Sequence, residues 1–71
     1  MKNKIIEKHL QENNLTLKQF ANLCGVTNYT MQKLANCNGK RIATENIVAV
    51  SEEIGITTHE FLLELFQRNP R

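Results

Sequence analysis

Apolar side chains recur at intervals of three and four along most of this chain, and no stretch alternates between apolar and polar residues as a strand would. In the first dozen residues Ile6 and Leu10 lie four positions apart, which predicts a helix from about Lys2 to Asn13. Four further segments of the same kind follow. The pattern predicts an all-α fold of five short helices, forming a single domain over residues 1–71.

The second predicted helix begins after Thr16 and ends just before Gly25. Thr16 and Gln19 have the spacing of a capping box, in which each side chain accepts a hydrogen bond from a backbone N–H of the first turn. Gly25 suits a sharp turn, because glycine adopts the left-handed conformation without steric cost. We expect the small Ala21 to lie where this helix crosses the next one. The apolar side of the helix is expected to consist of Phe20, Leu23 and Cys24.

The third predicted helix runs from a cap at Thr27 to about Asn36, with Met31 and Leu34 pointing inward and Val26 anchoring the preceding turn. Two short helices joined by so tight a turn form a helix-turn-helix. This is an arrangement that places its second helix in the major groove of DNA.

The fourth and fifth helices follow a polar loop. Thr44 is predicted to cap the fourth helix and Gly55 to end it. Thr57 and Glu60 again have capping-box spacing, and they open a fifth helix through about Gln67. The apolar face of the fourth helix is predicted to be Ile47, Val50 and Ile54.

Charge is distributed unevenly along the chain, although the formal net charge is only +2. The stretch from Asn13 to Thr44 contains no acidic residue and has a local charge of +4. From Glu45 to Arg71, five glutamates face two arginines. A basic segment that coincides with the helix-turn-helix favours an anionic partner. The basic residues of that segment are Lys18, Lys33, Lys40 and Arg41.

Several classes of function find no support in the composition. Cys24 and Cys37 form neither a CxxC motif nor a metal-ligand set, so we expect no metal and no cofactor; Cys24 should be a core residue and Cys37 exposed. No nucleophile, base and orienting group can be assembled, which argues against an enzyme with a small-molecule substrate. No signal peptide or membrane-spanning run is visible, so the expected location is the cytoplasm, in association with the nucleoid.

The outward side of the third helix carries polar groups suited to base edges. Gln and Asn can pair bidentately with adenine, Lys can reach guanine acceptors, and an aromatic group can meet a thymine methyl. Exposed backbone N–H groups near Thr27, at the start of the helix, attract phosphate. The side chains that form this polar side are Asn28, Tyr29, Gln32, Lys33 and Asn36.

With these positions assembled, the chain resembles the Cro/C1-type helix-turn-helix family, also called lambda repressor-like or Xre. The resemblance covers about residues 4–66. It implies a five-helix DNA-binding domain with helix 3 in the major groove, and a homodimer bound to a palindromic operator on double-stranded DNA. The residues that carry the likeness include Leu15, Thr16, Phe20, Ala21, Gly25, Val26, Thr27, Thr30, Met31, Leu34 and the run Ile54-Gly55-Ile56-Thr57.

The resemblance also implies roles for individual residues. Asn36, Lys40 and Arg41 would hold the sugar-phosphate backbone. Two positions depart from the family pattern: Leu17 replaces a frequent glutamine that contacts phosphate, and Ala35 replaces a frequent glutamate. The residues expected to meet bases or adjacent phosphates are Thr27, Asn28, Tyr29, Gln32 and Lys33.

The fifth helix carries more large apolar groups than so small a domain should need for its core, which suggests a contact between two subunits. The residues predicted for this dimer contact are Phe61, Leu62, Leu65 and Phe66. With no room for a ligand-sensing domain, the chain fits a small repressor of the kind that phages and mobile elements use. The alternative is a protein-interaction module, such as an antitoxin or an anti-repressor partner, with the fifth helix as its working surface.

Overall fold

The computed structural model describes residues 1–66, and within that range the chain is all-helical with no strand. Its core lies between all five helices, with α2 packed against α3 and α4, and α5 packed against α4 and α1. The all-α prediction is therefore confirmed. The elements are α1 Lys4–Asn13, α2 Leu17–Cys24, α3 Asn28–Ala35, α4 Thr44–Ile54 and α5 Thr58–Leu65.

Side chains cap the start of four of these helices. The Thr16 and Gln19 pair forms the complete capping box at α2, and the Thr57 hydroxyl accepts a hydrogen bond from the Glu60 amide at α5. The first helix begins at Lys4 rather than at Lys2, because the side chain of Asn3 accepts from the Ile6 amide and caps it there.

The predicted cap at Thr44 is wrong. Ala43 is the N-cap of α4, and no side chain caps this end. The Ala43 carbonyl already accepts hydrogen bonds from the amides of Asn46 and Ile47, at 3.0 and 3.4 Å, so the helix begins one residue earlier than predicted. Thr44 is consequently the first helical residue and not the cap.

Each of the first four helices is followed by a residue in the left-handed conformation. Gly25 and Gly55 are the caps of α2 and α4, as predicted, with φ of 76° and 92°. Asn14 is the cap of α1, with φ of 53°, and Cys37, with φ of 57°, comes one residue after Asn36, the cap of α3. In each case the next residue donates its backbone N–H to a carbonyl five positions back, which satisfies the end of the helix.

The core contains the apolar residues that the helical spacing placed inward. Met31 and Leu34 of α3 have no exposed surface, and Ala21 of α2 is 1% exposed where α2 and α3 pack together. One inward assignment is wrong: Leu23 is 57% exposed. It precedes half-buried Cys24 by one position, and a helix turns about 100° per residue, so the two side chains point in different directions.

The apolar stripe of α5 divides between core and surface. Phe61 and Leu65 are 0% and 1% exposed, so they close the core of their own chain and have no surface left for a partner. Leu62 is half-buried against the same core. Phe66 and Leu63 remain exposed, at 51% and 62%. The predicted dimer contact therefore loses two of its four residues, and Gln67, the predicted end of the helix, lies outside the described residues.

None of the helices within residues 1–66 is both long enough and apolar enough to cross a membrane.

Candidate nucleic-acid interface

Helix α3 has two sides of opposite character. Met31, Leu34 and Ala35 are buried, which fixes the rotation of the helix about its axis. Asn28 and Gln32 lie on the exposed side. Because both of these side chains carry an amide with donors and an acceptor, this side can form paired hydrogen bonds with a partner without bringing a charge.

Tyr29 is the most exposed large apolar side chain within residues 1–66, at 71%. An exposed tyrosine offers a flat apolar ring together with a hydroxyl that can donate or accept a hydrogen bond. Its position beside Asn28, at the start of α3, adds an apolar surface to the polar side of the helix. The ring is therefore suited to a partner that presents both methyl groups and hydrogen-bonding edges.

The N-terminal end of α3 is closed by Thr27. Its hydroxyl accepts from the Thr30 amide at 3.1 Å and contacts the Thr30 hydroxyl at 2.9 Å. Thr27 is exposed, as are Asn28 and Tyr29 after it. The first turn of α3 contains no acidic residue that would compete for its free N–H groups.

Lys33 is placed differently from the sequence-based expectation. Its ammonium donates to the backbone carbonyl of Lys40 at 2.7 Å and lies 5.6 Å from the centre of the Tyr29 ring. This lysine therefore connects α3 to the loop before α4 and supports the tyrosine ring from one side. To reach a base edge it would have to leave the Lys40 carbonyl.

The loop between α3 and α4 presents the two adjacent cations. Lys40 and Arg41 are both exposed, and Arg41 has left-handed backbone with φ of 60°. The loop is also packed on the end of α5: a Cβ added at Gly39 would lie 2.5 Å from the Phe66 ring, and the Cys37 thiol lies 3.6 Å from the Glu64 carbonyl. Cys37 is thus half-buried and not exposed as predicted.

The basic residues of this region make no salt bridge with an acid of residues 1–66. The salt bridges in that range all lie in the first helix and the N-terminus, where Glu7 and Glu12 are the acidic partners. None of them involves Lys18, Lys33, Lys40 or Arg41. The described part of the chain therefore leaves their positive charge available to an anion.

Two residues lack the polar side chain that the resemblance would lead one to expect at their positions. Leu17, where the resemblance leads one to expect a phosphate-contacting glutamine, packs against the core. Ala35 is 4% exposed, and its carbonyl accepts the backbone N–H of Asn3 at 3.0 Å. Neither residue contributes a polar side chain to the exposed side of α3.

The two cysteines are partly buried and are not candidates for a chemical role. Burial raises the pKa of the Cys24 thiol from 9.0 to about 11, and the negative charge of Glu53 adds to the effect. Burial also raises the pKa of Cys37. Both residues are therefore neutral thiols near pH 7 and poor nucleophiles. Within residues 1–66 no group of three or more metal-ligating side chains is placed to bind an ion.

The sequence predicts eight candidate residues but does not indicate how they are held. The structure brings Thr27, Asn28, Tyr29 and Gln32 to one exposed side of α3, and it draws Lys33 back toward the loop. The Lys33 contact and the left-handed Arg41 have no sequence signal, because both depend on the path of the loop. No protein family, curated protein or solved structure matches this chain.

Proposed function

We propose that this chain is a sequence-specific DNA-binding regulator of transcription, with a lambda repressor-like fold whose α3 enters the major groove. The observation that carries the proposal is the exposed side of α3. It combines Asn28, Gln32 and a 71% exposed Tyr29 on a helix whose opposite side is locked into the core. A helix held by its buried side and carrying exposed amide side chains is suited to paired hydrogen bonds with base edges, and the aromatic ring can meet a thymine methyl.

The unpaired cations support this function. Lys18, Lys40 and Arg41 are exposed and make no salt bridge within residues 1–66, so they can contact phosphates on either side of the groove. Phosphate contacts position the protein on the duplex, and the α3 side chains provide discrimination between sequences. The simplest outcome is repression, because a bound protein at an operator blocks polymerase.

Binding as a homodimer is part of the proposal. Two copies would place α3 in successive major grooves about 34 Å apart, which requires a palindromic site. Because Phe61 and Leu65 are buried in the core, the proposed contact between copies uses the exposed Leu63 of α5 and Phe66, the residue that caps its end. Sedimentation at micromolar concentration, with and without DNA, tests this part: a monomer in both conditions removes it.

Selection of bound duplexes from a random pool is the decisive experiment. We expect an enriched palindromic sequence. In that sequence Gln32→Ala should relax the preference at one base pair at a cost of about 1–3 kcal/mol, whereas Lys40→Ala should weaken binding to all sequences alike. The matched controls are Gln11→Ala and Lys8→Ala, which remove the same side-chain types from the exposed surface of α1.

The salt dependence of binding separates this function from a protein-interaction module. Each phosphate contact should contribute about 0.9 to the slope of log affinity against log salt. Apolar docking through α5 has no such slope. If the pool yields no preferred duplex, or if Gln32→Ala and Gln11→Ala behave alike, the assigned reading side is wrong.

A further inference from the structure

Asn3 is a fully buried polar residue that joins the first helix to the third. Its side-chain oxygen accepts the Ile6 amide at 3.1 Å, and its side-chain nitrogen donates to the Leu34 carbonyl at 3.0 Å. Its backbone N–H donates to the Ala35 carbonyl at 3.0 Å. One residue therefore begins α1 and closes the far end of α3.

The two carbonyls that Asn3 reaches belong to the last turn of α3. Carbonyls in the last turn of a helix lack partners within the helix and must find them elsewhere. The Cys37 amide also bonds to the Leu34 carbonyl, at 3.0 Å. The Ala35 carbonyl receives only the Asn3 amide among the backbone bonds that close this end. The end of α3 is consequently held both by local amides and by a contact 31 residues away in sequence.

Asparagine is well suited to this place. An N-cap needs an acceptor, and the Leu34 carbonyl needs a donor. Serine has the acceptor but is too short to reach across to α3. Aspartate has the acceptor and the length but, when ionised, has no donor and would turn a negative charge toward a carbonyl oxygen. The buried amide satisfies both helices at once, and no buried side-chain polar atom within residues 1–66 lacks a partner.

We propose that Asn3 is a positioning residue for DNA recognition, which sets the tilt of α3 by holding its C-terminal end against α1. This inference rests on the function proposed above. Met31 and Leu34 fix the rotation of α3 about its axis through packing. The hydrogen bonds of Asn3 act at one end of the helix, where they hold the Leu34 and Ala35 carbonyls against the start of α1. Recognition by paired hydrogen bonds tolerates displacements of only about 0.5 Å, so a small change of tilt should weaken discrimination between sequences.

Three variants separate this role from simple stability. Asn3→Ala removes both side-chain bonds, and Asn3→Ser keeps an acceptor for the α1 cap but loses the bond to Leu34. Thr57→Ala removes the cap at the start of α5, a comparable loss at the opposite end of that helix from Leu63 and Phe66, where the contact between copies is proposed. All are studied as the full chain, at a temperature where circular dichroism shows each variant to be folded.

The first measurement is affinity for the selected duplex and for a scrambled duplex of the same composition. We expect Asn3→Ala and Asn3→Ser to bind the selected duplex about three- to tenfold more weakly, with affinity for the scrambled duplex unchanged. Thr57→Ala should change neither affinity. Wild-type discrimination in Asn3→Ser, or an equal loss of discrimination in Thr57→Ala, would overturn the proposal.

The second measurement needs no DNA. Hydrogen exchange of the Cys37 and Asn38 amides, which bond to the last carbonyls of α3, should be faster in Asn3→Ala and Asn3→Ser and unchanged in Thr57→Ala. If the wild-type protein selects no duplex, the proposed function fails. The exchange experiment then still tests whether Asn3 holds the end of α3. Unchanged exchange in both Asn3 variants would show that Asn3 does not hold the end of α3.

Discussion

Under the proposed function, replacing Arg41 by glycine should make the protein more stable and less able to bind DNA. The backbone of Arg41 is left-handed, with φ of 60°, and its side chain is exposed. A residue with a Cβ is strained in that conformation, and strain of this kind collects at functional sites. The perturbation that separates the two effects is Arg41→Gly, because glycine relieves the strain and removes the cation together.

The expected gain in stability follows from two opposing contributions. A left-handed non-glycine residue costs about 1–2 kcal/mol. Relief of this strain raises the free energy of unfolding, but glycine also lowers it by about 0.4–1 kcal/mol, because it gives the unfolded chain more conformational freedom. At the centres of these ranges the net increase in the free energy of unfolding is about 0.8 kcal/mol, with limits of about 0 and 1.6 kcal/mol. In a chain of 71 residues the central value raises Tm by roughly 3–6 °C.

The expected loss in DNA binding follows from the charge. One phosphate contact contributes about 0.9 to the slope of log affinity against log salt, so its loss weakens binding about eightfold at 0.1 M salt relative to 1 M. Arg41→Ala is the matched control for the backbone, because it loses the same charge but keeps the strain. Arg41→Lys is the control for charge, because it keeps both the cation and the strain.

Thermal melts and salt-dependent titrations with one duplex provide the two readouts. Arg41→Gly should melt above Arg41→Ala, and both should bind with a salt slope about 0.9 lower than that of Arg41→Lys. Equal melting of the glycine and alanine variants would refute the strain at position 41. Equal salt slopes for Arg41→Gly and Arg41→Lys would refute a phosphate contact by this residue.

Three further predictions concern the structure around the site. Gly39→Ala should lower the free energy of unfolding by about 1–2 kcal/mol, because the added Cβ displaces the Phe66 ring. This cost should be smaller in the Phe66→Ala background, and a double-mutant cycle measured by denaturant unfolding tests it. Ala21→Leu should lower the free energy of unfolding by about 1–3 kcal/mol through overpacking between α2 and α3, whereas Asn22→Leu on the exposed side should not. The raised pKa of Cys24 stabilises the folded state below pH 9.0, and this contribution should disappear as the pH rises toward 11; a Cys24→Ser variant should lack that decline in urea melts.

The helices and most of the core could be predicted because their signals are local. Capping residues such as Thr16 and Thr27, and a glycine such as Gly25, act within one turn of the chain. Apolar spacing also placed Met31 and Leu34 correctly. These features require only knowledge of which residues are near one another in sequence.

The contacts that hold the site could not be predicted because they join distant parts of the chain. Asn3 follows the usual preference for an N-cap, but nothing in its neighbourhood indicates a bond to Leu34. The left-handed conformations of Cys37 and Arg41 occur at residues that seldom adopt it. They arise because the loop must turn twice between α3 and α4, and sequence patterns do not specify that path.

In α3, one set of residues holds the helix in place and a different set faces outward. The residues that hold the helix, such as Leu34, are buried, whereas Asn28, Tyr29 and Gln32 are exposed and contribute little to packing. Exposed substitutions away from caps usually change stability by less than about 0.5 kcal/mol. Under the proposed function, the preferred DNA sequence can therefore be altered at these three positions without unfolding the chain. The same freedom does not extend to Asn3 or to the α3–α4 loop, because changes there move the helix itself.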